Sequence, residues 1–175
     1  MTESKMNKNP LQEQLDEKKL NHAIAYVNSE ALGIKKINSN ELAHLNQLLN
    51  SQANSQPAEA WRFEATQVNL PSGHTQHFNV VSNPIQRARD ILGHALQKAG
   101  NGEAIEGATD IYIQLVLEHL FIDANRRTAA LAALWILRSQ GMDIDAKRLL
   151  KTPIGNLRDP QDVTSLRTLF RTLVK

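Results

Sequence analysis

Three observations predict an all-α domain that carries one β-hairpin. Apolar residues recur at helical spacing along most of the chain, between residues that cap or break helices. The run Ala129 to Leu137 is apolar on every face, which suits the central helix of a bundle. Between Trp61 and Val81 the apolar period shortens to that of strands.

Length and composition set the bounds. With 175 residues, 41% hydrophobic and 22% charged, the chain can bury a sizeable core as one domain with small additions and is too apolar for disorder. The absence of cysteine excludes disulfides, thiolate zinc sites, iron–sulfur clusters and a cysteine nucleophile. The longest apolar run is too short to cross a bilayer, and the opening MTESKMNKNP is too polar for a signal peptide. A soluble, cytoplasmic protein with no membrane partner is expected. The net charge of +2 hides an asymmetry: residues 1–125 carry 10 basic and 14 acidic side chains, residues 126–175 carry 10 and 4. A basic third attracts phosphate, on a nucleotide or on nucleic acid.

Residues 1–10 read as a disordered tail ending at Pro10. Leu15, Leu20, Ala23, Ile24 and Val27 make the apolar face of a first helix ended by Gly33. Ser39 or Asn40 is expected to cap a second helix, with Leu42, Leu45, Leu48 and Leu49 as its stripe. These two helices form an N-terminal region, 11–55, whose role is not legible, and NSQANSQPAEA is a linker by composition. The remainder, 56–175, is expected to hold the hairpin and the other helices. Trp61 to Leu70 reads as a strand with its alternation broken near Thr66, Pro71-Ser72-Gly73 as a turn, and Gln76 to Val81 as the returning strand. A lone hairpin must lean on helices. Pro84 suits the first position of a helix reaching Gly100. Further helices are expected from about Ala108 to His119, Thr128 to Ser139, Ala146 to Lys151 and Asp162 to Val174.

The chemistry concentrates between the two most apolar helices, in His119-Leu120-Phe121-Ile122-Asp123-Ala124-Asn125-Arg126-Arg127-Thr128. Such polar groups are costly to bury unless paired or employed. A turn feeding a helix N-terminus presents unpaired N–H groups and the positive end of the dipole to an anion. Asn125 can donate an amide hydrogen bond, Arg127 offers a planar fork to phosphate oxygens, and Asp123 is a hard oxygen ligand of the kind Mg²⁺ accepts. His119 can take a proton from an attacking hydroxyl near neutral pH. Arg126 and Arg127 stand at the helix end where the dipole disfavours cations, a misfit that a bound anion relieves.

HLFIDANRRTA resembles the central motif of the Fic/Doc (Fido) superfamily, H-P-F-x-D/E-G-N-G-R-x-x-R, with His119, Phe121, Asp123, Asn125 and Arg127 on matching positions. Leu120, Ala124, Arg126 and Ala130 depart from it, and the sequence around them is closest to the Doc branch, H-x-F-x-D-A-N-K-R-T-A. Trp61-Arg62, the hairpin and the helix from Pro84 resemble instead the Fic flap and the helix after it. The resemblance covers about residues 60 to 150 and implies a helical bundle with one β-hairpin flap, in which 56–175 is the catalytic domain. It also implies His119 as general base, Asp123 as Mg²⁺ ligand, Phe121 as a buried anchor, and Asn125, Arg126 and Arg127 around the phosphates of ATP. Arg62, Val68 and Phe78 would belong to the flap that aligns the target chain by strand addition.

The implied activity is transfer of AMP from ATP onto a hydroxyl of a target protein, as a toxin or regulator. A basic residue at position 126 goes in the Doc branch with transfer of the terminal phosphoryl group, which is the alternative. A catalytically silent binding module is the other, since Ala130 stands where the family has its second arginine. The inhibitory pattern S/T-x-x-x-E-G/N fails at Glu106-Gly107, because Gly102 occupies its first position. A separate antitoxin or regulatory chain is therefore expected. His74 and His77 read as surface residues, as do Arg87 and Arg89, and Glu118-His119 lacks the H-E-x-x-H zinc spacing. Nucleic acid is not the expected partner, for no recognition helix is present.

Overall fold

Every residue from Thr128 to Leu137 is buried, so the helix that carries them is packed on all sides. The structure, a computed structural model, describes residues 9–33, 35–50, 60–69 and 73–175. Its elements in order are α1 (Pro10–Ala31), α2 (Ser39–Asn50), β1 (Thr66–Asn69), β2 (Thr75–Phe78), α3 (Pro84–Gly100), α4 (Ala104–Glu118), α5 (Asn125–Ser139), α6 (Ala146–Lys151) and α7 (Pro160–Leu173). Helix α5 is the axis, wrapped by α1, α2, α4 and α6, while α3 and α7 pack on the outside of α4. The two N-terminal helices share this core, with Ala23, Val27, Leu42, Leu45 and Leu49 buried in it.

Helix starts follow side-chain capping. Asn9, Asn83 and Asp159 each accept a backbone N–H of the first turn, and a proline follows each at the first helical position. Asn38 caps α2 in the same way, accepting from Glu41 N at 2.9 Å, in place of the expected Ser39 or Asn40. Pro10 is the first residue of α1, so the part of the expected tail at residues 1–8 lies outside the described residues. Leu15 is exposed: the first turns of α1 stand clear of the core that buries its later stripe. Most of the linker, 51–59, also lies outside the described residues.

Helix α4 begins about a turn earlier than expected, running straight through Gly107. The glycine is there for space. A Cβ at Gly107 would stand 2.6 Å from the carbonyl oxygen of Ala95, so α3 and α4 meet backbone to backbone. Gly107→Ala is expected to destabilise by about 1–3 kcal/mol through overpacking, read as a lower urea midpoint at an unchanged slope.

The hairpin is shorter than the sequence suggests. Strands β1 and β2 pair antiparallel from Thr66 opposite Phe78 to Asn69 opposite Thr75, and Leu70, Pro71 and Ser72 lie outside the described residues. Trp61 takes no part in it. It bridges to Phe121, with the two rings stacked at 4.7 Å, and so ties the approach to the flap onto the motif loop.

Candidate functional site

The motif forms a tight loop between α4 and α5 whose two ends are left-handed. His119 (φ 50°) and Ala124 (φ 57°) are the non-glycine residues with positive φ among the described residues. Such backbone is costly for residues with a Cβ and persists where surroundings impose it. Asn125, 6% exposed, supplies the clasp: its Oδ1 accepts from Phe121 N and its Nδ2 donates to Phe121 O, both at 2.9 Å. Asp123 turns its exposed carboxylate back, Oδ1 accepting from Ala124 N at 2.7 Å. Phe121 is fully buried.

The loop also rests on a residue the sequence gives no reason to single out. Asn46 on α2, 2% exposed, donates to the Asp123 carbonyl at 2.8 Å and to Thr128 Oγ1 at 3.0 Å. This assigns the N-terminal region a part in the site. The partners lie 77 and 82 residues away along the chain, a distance no local pattern spans.

His119 is half-buried, its ring stacked on Phe78 of the flap at 4.5 Å. Burial, reinforced by the Arg62 guanidinium and opposed by the Asp123 carboxylate, pulls its pKa down from 6.5 to about 4. The imidazole is thus neutral well below neutral pH. Two pH effects follow. A His119-dependent activity is expected to lose its acid limb near pH 4 rather than 6.5, checked by a pH–rate profile. Between those values the unfolded chain binds the proton and the folded chain does not, so His119 lowers stability as pH falls through this window.

The cradle expected of Asn125, Arg126 and Arg127 is narrower in the structure. Arg126 points away from the loop: Nε donates to Tyr112 Oη at 3.0 Å and Nη2 to the carbonyls of Leu149, at 3.1 Å, and Thr152. These carbonyls end α6, where a guanidinium is electrostatically welcome. Asn125 is spent on Phe121. What remains at the head of α5 are first-turn N–H groups with no side-chain cap, together with Arg127. Arg127 also lines a groove of about 310 Å³ between α1, α5 and α6, with Glu17, Lys147 and Lys151 around it. Arg127→Ala is expected to weaken ATP binding at least tenfold with little change in stability, and Arg126→Ala to destabilise by about 1–3 kcal/mol at nearly unchanged affinity. Calorimetric titration beside urea unfolding separates the two.

The flap residues divide. Val68 is half-buried on β1. Phe78 is buried against His119, with Arg158 over its ring at 5.3 Å and donating to the His77 carbonyl at 3.0 Å. Arg62, expected in target binding, is 4% exposed and turned inward onto backbone carbonyls.

No cluster of three metal-binding side chains occurs among the described residues. The exposed carboxylate of Asp123 alone fits a Mg²⁺ ion that arrives with phosphate oxygens and water, not one held by the protein alone. Among the described residues no helix is long and apolar enough to cross a membrane.

No family model and no curated protein matches the sequence. Solved structures do match it in fold. A Fic domain containing signaling protein from Bacteroides thetaiotaomicron superposes with a TM-score of 0.67 at 18% identity, over 90% of this chain and 69% of that one. BepC, a VirB-translocated effector of Bartonella tribocorum with bound AMPPNP, gives 0.61 at 15% identity, over 96% and 89%. The N-terminal Fic domain of a Bep effector from Bartonella quintana, with bound ADP, gives 0.58 at 16% identity, over 96% and 87%. The left-handed loop, the helix head behind it and the hairpin over it thus belong to a chain with the fold of Fic domains.

Proposed function

We propose that the chain transfers the AMP moiety of ATP onto a hydroxyl side chain of a target protein. The observation that carries the choice is Arg126. The Doc-like alternative sets a basic residue among the phosphates, whereas this guanidinium is held by Tyr112, Leu149 and Thr152. Nucleotide binding is supported by relatives in fold that hold AMPPNP and ADP.

The first-turn N–H groups of α5 and the Arg127 fork would take the phosphate oxygens. Asp123 would share with those oxygens a Mg²⁺ ion, which when bound neutralises phosphate charge. His119, neutral in this setting, would accept the proton of the target hydroxyl as its oxygen bonds to the α-phosphorus. The bond to the bridging oxygen breaks, pyrophosphate leaves, and the proton stays on the imidazole.

Ala130, fully buried where the family motif has an arginine, favours a second reading as a silent binding module. Control by a separate antitoxin or regulatory chain is the regulation we propose. Glu106 and Gly107 lie inside α4, with Glu106 3.8 Å from Arg171, and Gly102 leaves the inhibitory pattern without its first residue. ATP labelled at the α- or γ-phosphate, incubated with the chain, Mg²⁺ and cell lysate, tests the proposal. Protein labelled from the α-position is expected. Label from the γ-position alone would make the chain a Doc-like kinase, and label from neither would leave the binding module.

A further inference from the structure

Arg62 lies beneath the flap, and its guanidinium reaches three segments at once. Nε donates to the His119 carbonyl at 2.6 Å, Nη2 to the Glu118 carbonyl at 3.3 Å, and Nη1 to the carbonyls of Asn79, at 3.2 Å, and Glu64. Two of these acceptors are the last carbonyls of α4, which the helix leaves without partners and for which a cation is the favourable cap. The other two flank the hairpin. Its own N–H donates to the Leu120 carbonyl at 2.8 Å, next to His119 in the chain. Few side chains offer donors in several directions from one rigid plane; arginine does, and lysine does not.

What Arg62 grips is the backbone of His119, a residue in the left-handed conformation that its own preferences oppose. Phe78 meets the imidazole from the flap side at a ring separation of 4.5 Å. The carbonyl is thus fixed from below and the ring from above, and the same guanidinium, through Asn79, holds the strand end that carries Phe78.

We propose that Arg62 is a positioning residue for His119: its fork locks the left-handed backbone of the histidine and the return strand of the flap together, and so sets the imidazole against Phe78. The proposal rests on the reading of His119 as the base only for its effect on turnover. Positioning itself is independent of any activity, because a ring stacked on an aromatic neighbour has its proton resonances displaced upfield.

The experiment compares the histidine ring spectrum of the chain with those of Arg62→Lys, which keeps the charge without the fork, and Arg62→Gln, which keeps neither. Phe78→Leu identifies the stacked resonance. The upfield His119 signal is expected in the unsubstituted chain and lost in both Arg62 variants, with the other histidines unmoved. Turnover is expected to fall at least tenfold in kcat with KM for ATP within about twofold. A His119 signal that stays upfield in either folded variant would overturn the proposal. Unfolding by both substitutions would overturn it too, by making Arg62 a residue of the fold at large. Loss of the signal in variants of a chain that transfers no label would sink the proposed transfer and leave the positioning role standing.

Discussion

Replacing His119 by alanine is expected to abolish labelling of protein from ATP while leaving the fold intact. A positioned general base contributes about 10²–10⁴ in rate, and no second histidine faces the loop among the contacts of the described residues. The structural cost is small. The ring is half-buried, and its loss forfeits one stacked contact with Phe78, worth roughly 0.5–1.5 kcal/mol. Alanine inherits the left-handed φ at similar cost, as Ala124 already does a few residues on. Removal of a group that resists protonation also deletes an acid-sensitive element, so the variant is expected to lose less stability than the parent between pH 6.5 and 4. The pairing of a large rate loss with a nearly unchanged melting temperature distinguishes a base from a core histidine. Equal losses in both would fit the core histidine.

Asn125→Ala is expected to give the largest loss of stability among substitutions in the loop, about 2–4 kcal/mol. Its side chain satisfies both the N–H and the C=O of Phe121 in a setting closed to water, and truncation strands two buried polar groups together. The clasp also holds Ala124 at positive φ and thereby aims the head of α5, so ATP affinity is expected to fall with stability. Urea unfolding measures the first effect and calorimetric titration the second. A variant that kept its midpoint would show that Phe121 finds other partners and that the loop is held from α2 by Asn46 alone.

The helices were legible because their information is local. Caps, prolines and apolar stripes lie within a turn of what they specify, and α3 and α6 have the bounds expected of them. Contacts across the chain were not legible. Gly107 resembles a breaker until the backbone of α3 is seen against it. Trp61 alternates like a strand residue, yet its partner is Phe121, not the hairpin. The loop chemistry at 119–127 was concentrated enough to be found, but the direction of each arginine was not. Arg126 looks like a phosphate ligand in sequence and serves the end of α6 in space, while Arg62 looks like a flap residue and serves the end of α4. Both answer the same need, carbonyls at a helix C-terminus that lack donors, and no spacing rule encodes which helix end a long side chain will reach.

The uncapped head of α5 is the site proposed for the nucleotide phosphates. Titration of the ¹⁵N-labelled chain with ATP and Mg²⁺, followed at the backbone amides, tests it most directly. The amides of Asn125, Arg126 and Arg127 are expected to move most, and Arg127→Ala to suppress the change. Amides that move elsewhere, or that do not move at saturating nucleotide, would contradict it.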